Sequence, residues 1–319
     1  MITGNGDIGD RERPICAATG KGVALTRSFV AAILFALSIS GCRTDSGADD
    51  ARLSATAGKL RLAVDASIAE AADAQAKIFA AHYPDAVVSV TPELTGKTLL
   101  TLLKKESGAA LLNGSLLPEE DSLLAHPRLG GRKEPVARDA LICIVNRNSS
   151  LDSVTTGALG AVLAARKSSK AEFVLWTARN DYRLLATLRQ LLGTGNTTLH
   201  AMQTDSDSLL VEKTAADPLA AGLLYLSAWN TLSLPEKTRN GIRILPVASE
   251  KAGSSAVMPS EQYIYDGRYP LATIVYYIYI PGNPLAAGFG SWLSREGQKG
   301  FERSYLAPFR QLPRTIILK

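Results

Sequence analysis

The chain has 319 residues, of which 46% are hydrophobic and 20% charged, with a formal net charge of +5. That charge is spread along the sequence instead of gathered in a patch, so it excludes a generic nucleic-acid footprint. Three cysteines, at positions 16, 42 and 143, exclude a disulfide framework, and stability must come from an ordinary apolar core.

The first element is the apolar run from Phe29 to Ile39, which Ser40, Gly41 and Cys42 terminate. A membrane-spanning helix needs about 20 apolar residues, and this run is about half that long. Arg27 precedes it, as the positive flank of a secretory signal does. Ile39-Ser40-Gly41-Cys42 resembles the lipobox of bacterial lipoproteins, in which the cysteine is acylated and becomes the new N-terminus. Residues 1–41 read as a signal peptide, with Cys42 the lipidated residue. The polar stretch 42–57 reads as a flexible tether. Removing 1–41, with its four basic and three acidic residues, leaves about 280 residues, enough for one large or two medium domains.

Two nucleotide-binding patterns near the front fail. Gly4-Asn5-Gly6-Asp7-Ile8-Gly9 has no strand ahead of it. Thr95-Gly96-Lys97-Thr98 lacks the glycine that a P-loop needs five positions before Gly96, where this chain has Thr91. His82, His126 and His200 have no metal-ligand spacing, and there is no Gly-x-Ser-x-Gly elbow, so neither a cofactor, a metal nor an enzyme activity is expected.

From Lys59 the apolar pattern alternates. Strands are predicted over 59–64, 86–92, 109–114, 140–146, 172–177 and 221–227. Helices are predicted over 69–84, 96–106, 118–125, 157–166 and 181–192. Pro118 sits at the first turn of its helix with acidic residues behind it, where they meet the positive end of the helix dipole. Alternating strands and helices imply a wound α/β sheet. Two similar strings, Glu134–Asn146 and Ile242–Ser249, each carry Pro-Val-Ala. They read either as two crossings between lobes, outward near 135–142 and back near 243–249, or as two ordinary strands sharing a chance tripeptide.

The segments 134–164, 217–229 and 267–310 resemble phosphate ABC-transporter binding proteins of the Pst type, in particular a lipoprotein branch of Bacteroidetes-like bacteria. The resemblance rests on a Pro-hydrophobic-Ala, Asp-Ala run leading into an apolar strand, and on Asp217-Pro218-Leu219-Ala220-Ala221-Gly222. It rests also on Tyr269-Pro270-Leu271, Glu296-Gly297-Gln298 and the Tyr305-Leu306-Ala307-Pro308 ending. It implies an α/β class II periplasmic-binding-protein fold of two lobes, each a wound sheet with flanking helices, joined by two hinge strands. The first lobe would comprise 58–138 and 246–319, the second 139–245. It further implies a monomeric, lipid-anchored protein of the periplasm or cell surface. Such a protein holds phosphate or a similar oxyanion between its lobes and delivers it to ABC permease subunits, with no nucleic-acid partner.

Four strand-to-helix loops are candidate ligand contacts: Asp65 and Ser67; Thr95, Gly96 and Lys97; Asn113 and Ser115; and Arg179, Asn180, Asp181 and Arg183. Strand carboxyl ends in open α/β sheets are where ligands bind, and helix N-termini offer free N–H groups to an anion. Ser67 and Thr95 fit a hydroxyl donor or a plain helix cap. Lys97 fits a solvated helix start. Arg179 and Arg183 are the stronger charge partners because a guanidinium binds oxyanions with a fork. Asp65 or Asp181 fits the acceptor of the proton of hydrogen phosphate. The family has a Ser/Thr-Arg pair where this chain has Asn113-Gly114, and a hydroxyl-rich loop where it has Arg179–Arg183. Phosphate capture, capture of another small anion, and a sensor or interaction lipoprotein with a degenerate cleft therefore all stay open.

Because the apolar run is too short to span and ends in a lipobox-like string, Cys42→Ser should leave an unprocessed precursor or release the protein from membranes. Intact-mass analysis of the mature wild-type protein checks this, and retention of residues 1–41 contradicts it.

Overall fold

The computed structural model describes residues 53–164, 173–178, 182–195, 197–251 and 253–311. Cys42, the signal peptide, most of the tether and Arg179, Asn180 and Asp181 lie outside the described residues.

In chain order, β1 (Gly58–Asp65) leads through a single 3-10 turn (Ala66–Ile68) into α1 (Ala69–His82), then β2 (Ala86–Glu93) and α2 (Thr95–Leu103). Next come β3 (Ala109–Asn113), α3 (Pro118–Ala125) and the 15-residue β4 (Arg132–Asn146). β5 (Val154–Thr155), α4 (Thr156–Leu163), β6 (Val174–Ala178) and α5 (Tyr182–Leu191) follow. β7 (Met202–Thr204), α6 (Asp207–Ala216), β8 (Ala220–Tyr225), α7 (Leu226–Thr231) and α8 (Glu236–Asn240) come next. The chain continues with β9 (Ile242–Ile244), β10 (Val247–Ala248), α9 (Glu261–Tyr265) and β11 (Ala272–Tyr279). It ends with α10 (Pro284–Leu293), α11 (Gln298–Phe301) and β12 (Ala307–Pro308). No helix among the described residues is long and apolar enough to cross a membrane.

β4 belongs to two sheets at once. Its first part, Arg132–Ala140, pairs antiparallel with β11, while Leu141–Val145 pairs with β8 and Ile144–Asn146 with β9. The strand order runs β2-β1-β3-β11-β4-β8-β6-β7. β1 is parallel to both β2 and β3, and β6 is parallel to both β7 and β8, as crossover helices require. Each half carries apolar side chains on both faces. Leu62, Phe79, Phe289 and Phe301 pack on one face of the first sheet, and Leu99, Leu112 and Ile278 on the other. Leu159, Leu184 and Leu223 pack on one face of the second sheet, and Ile144, Leu210 and Leu224 on the other. Strands buried on both faces lose the polar alternation, which is why β3 and residues 139–146 read as continuous apolar runs. The two-lobed α/β architecture expected above is what the chain adopts.

Two boundaries differ from the expectation. β9 and β10 stay with the second half, and Ile264, Tyr269 and Leu271 lie in its core. The Leu141 N–H donates to the Leu271 carbonyl at 2.9 Å, and the Tyr269 hydroxyl donates to the Leu141 carbonyl at 3.0 Å. The chain thus returns to the first sheet at Leu271–Ala272, later than 243–249, because the second Pro-Val-Ala string finishes a strand pair with β5 instead of crossing. At the front, Ser54 and Ala57 form a bridge, and Ala55 lies against α10 so closely that a Cβ on Gly288 would come within 1.9 Å of its carbonyl oxygen. The last residues assigned to the tether are part of the folded body.

Candidate functional site

The carboxyl ends of β1 and β3 meet the second half of the molecule at one seam, and Asn113 is its hub. As the last residue of β3, Asn113 is fully buried, so each of its polar groups needs a partner. Its N–H donates to Asp65 Oδ2 at 2.7 Å. Its Nδ2 donates to Asp139 Oδ2 at 2.7 Å and to Ser67 Oγ at 3.2 Å. Its Oδ1 accepts from the Thr273 hydroxyl at 3.4 Å, and its carbonyl accepts from the Tyr225 hydroxyl at 3.3 Å. Backbone and side chain of this one residue thereby tie β3 to β1, β4, β8 and β11.

Two buried carboxylates flank this hub. Asp65 Oδ1 accepts from the Thr98 hydroxyl at 2.5 Å, so Asp65 clamps the start of α2 to β3. Asp139 sits where β4 passes from one sheet to the other. It accepts from Ser227 Oγ at 2.5 Å, the Ala140 N–H at 2.8 Å and the Ser227 N–H at 3.3 Å, besides Asn113. Burial pushes the Asp139 carboxyl above the usual carboxylate range, against the opposing pull of the donors from Ser227 and Asn113.

Beyond Asn113 the chain turns at Gly114, whose φ of +92° favours glycine. The space is closed as well: a Cβ there would meet Thr187 Oγ1 at 2.5 Å and the Tyr225 hydroxyl at 2.6 Å. The Ser115 N–H then donates to Thr187 Oγ1 at 3.1 Å, seating this loop on α5.

Arg183, in the first turn of α5, is wholly buried and reaches across the seam to α3. Its Nη1 donates to Glu120 Oε2 at 2.8 Å and its Nη2 to Glu120 Oε1 at 3.0 Å, a two-bond fork, while Nη1 also donates to the Ser115 carbonyl at 3.2 Å. Glu120 Oε2 additionally accepts the Leu117 N–H at 2.8 Å, closing the N-terminus of α3. The Glu120 side chain keeps 16% of its surface exposed, against 0% for Arg183.

Of the candidate residues, Asp65, Ser67, Asn113, Ser115 and Arg183 are brought together at the seam. Gly96 is half-buried in the first turn of α2, whose first residue is Thr95, and Lys97 beside it is exposed. The sequence reading missed Thr98, Glu120, Asp139, Thr187, Tyr225, Ser227 and Thr273. A buried aspartate inside the apolar string 136–146 was a visible signal for Asp139. Glu120 was visible only as a helix-end acid. Among the described residues no cluster of His, Cys, Asp and Glu is arranged to hold a metal ion. Cys143 is buried in the core, and burial pushes its thiol up to about 12, which removes it as a nucleophile.

The comparisons with known proteins agree with this architecture. A family model described as a PBP superfamily domain matches residues 50–296. Three solved structures align over almost their whole length. One is a Clostridium perfringens protein solved with bound phosphate and assigned as a phosphate ABC transporter substrate-binding protein (TM-score 0.61, 12% identity, covering 79% of this chain and 100% of that one). Another is an ABC-type phosphate transport receptor from Vibrio cholerae (0.59, 14%, 78% and 99%). The third is PstS from Borrelia burgdorferi (0.52, 15%, 79% and 99%). No curated protein matches the chain by sequence.

The raised Asp139 gives a pH prediction. Between the ordinary carboxylate pKa and the raised folded value, the folded state holds more protons than the unfolded chain. The contribution of Asp139 to stability is therefore largest below the ordinary value and falls as pH rises through that window. Urea unfolding of wild type and Asp139→Asn from pH 4 upward should show the wild-type advantage shrinking with rising pH. A difference that stays flat or grows would contradict the assignment.

Proposed function

Because the chain belongs to the PBP superfamily, we propose that it is an extracytoplasmic solute-binding protein that captures inorganic phosphate at the seam between its lobes. In this reading it passes the ion to the permease subunits of an ABC importer, and lipid on Cys42 holds it at the membrane. It acts as a carrier and not as an enzyme.

The single observation that carries the reading is the Arg183 fork. A wholly buried guanidinium on α5, facing α3 and the loop that follows β3, presents two parallel N–H donors to a two-oxygen acid. A phosphate edge offers the same two-oxygen geometry as a carboxylate. Its Nη1 also meets the Ser115 carbonyl, and Ser115 lies two residues beyond Asn113, whose amide contacts the Ser67 hydroxyl. A dehydrated anion there gains from each donor more than it would in water, because the local dielectric is lower. Of the two acceptors considered for the proton of hydrogen phosphate, Asp65 has both oxygens engaged within the chain, which leaves Asp181; fully ionised sulfate has no such proton to donate. That one similar structure was solved with bound phosphate supports the choice of ion.

A second reading is favoured by one feature: Asn113 and Gly114 are packed down under Tyr225 and Thr187, and the polar groups of Asn113 all find partners within the chain. A sensor or interaction protein with a closed seam would look like this.

Calorimetry of the full-length protein in detergent separates the two. Phosphate should bind and sulfate should not. Ser67→Ala should cost about 1 kcal/mol. Arg183→Ala, read in a Glu120→Gln background so that no buried carboxylate is left unpaired, should cost on the order of 2–5 kcal/mol. No phosphate binding at millimolar concentration would leave the second reading in its place.

A further inference from the structure

We infer that Glu120 is a built-in occupant of the oxyanion seat, holding the Arg183 fork until the anion displaces it. The inference rests on the phosphate reading above and adds the step by which the seam opens.

Charge dictates the need for an occupant. Arg183 is wholly buried and always protonated, so taking the acid away from its guanidinium in the seam is costly. Exchange of one two-oxygen acid for another keeps the cation paired in both states. Glu120 has the chemistry for that exchange, and its surroundings favour leaving. Its carboxylate has a second partner on its own backbone, the Leu117 N–H, which it keeps when the fork is given up. It stands in the first turn of α3, where the positive end of the helix stabilises a carboxylate. Its side chain already touches solvent while that of Arg183 does not. Glu119 and Asp121 beside it repel a further negative charge, although Asp121 is offset by its ion pair with Lys133.

The fork also closes the molecule. Arg183 belongs to α5 in the second half and Glu120 to α3 in the first, 63 positions apart in sequence. When the anion takes the fork, α3 and the loop from Gly114 to Leu117 lose their charged tie to α5. Capture and rearrangement of this loop are then one event. The observed affinity is the intrinsic one reduced by the fraction of molecules whose seat is vacant. A fork occupied nine-tenths of the time by Glu120 lowers it by about tenfold.

The test uses the full-length protein in detergent, as wild type and Glu120→Gln, with inorganic phosphate as the probe. Glutamine keeps the size of the side chain but offers one oxygen and no charge. Calorimetry should give Glu120→Gln at least about tenfold tighter phosphate binding. Hydrogen exchange of the amides in 114–125 should be faster in the ligand-free variant than in ligand-free wild type, and phosphate should raise it in wild type. Phosphate binding by wild type that Glu120→Gln leaves unchanged or weakens overturns the occupant role alone. No binding by either protein, with faster exchange in the variant, sinks the phosphate reading and supports Glu120 as the tie across the seam. No binding and unchanged exchange overturn both.

Discussion

A guanidinium taken entirely out of water has to be met by an acid, and the organisation of this molecule around its seam follows from that constraint. The desolvation cost of such a group amounts to several kcal/mol and is recovered only in good geometry with its donors engaged. Both Nη atoms of Arg183 are engaged, by the two Glu120 oxygens and the Ser115 carbonyl. Each of these lies in the other half of the chain, so satisfying one buried charge also decides how α3, the 113–117 loop and α5 sit against each other.

The fork would be worthless on a yielding support. Strand β4 supplies the support by serving both sheets, and Asn113 locks the strand ends next to it through Asp65, Asp139, Tyr225 and Thr273. Neither Asp65 nor Asp139 offers a bare carboxylate edge. Both spend their oxygens on fixing strand ends, which makes them positioning residues for the loops that carry Ser67, Ser115 and Glu120. On the proposed reading, rigidity in the frame and exchange at the fork would be complementary properties, because a fixed frame spares an incoming anion the cost of ordering the loops around it.

Much of the frame was legible in the sequence. Alternation located β1, α1, β2, α2 and β3 to within a few residues, since each is amphipathic or bounded by Pro, Gly or a turn. The Pro118 and acid signature marked α3 at its observed limits, Pro118–Ala125. The site was legible in part. Asp65, Ser67, Asn113, Ser115 and Arg183 were reachable because strand ends are where α/β sheets bind ligands. Their partners were not, because Glu120, Ser227 and Tyr225 lie 63, 88 and 112 residues from the groups they touch, and no local period reports a contact of that span. The return crossing was misplaced for a related reason. The string Ile242–Ser249 looks like a hinge strand by composition, but its pairing with β4 and β5 is a tertiary choice.

The most direct test of the account is a crystal structure of the protein grown with saturating phosphate. The account predicts an anion in contact with both Nη atoms of Arg183 and within hydrogen-bonding reach of Ser67 or Ser115, with the Glu120 carboxylate turned away from the fork. Glu120 still bound to Arg183, with phosphate absent or seated elsewhere, would contradict it.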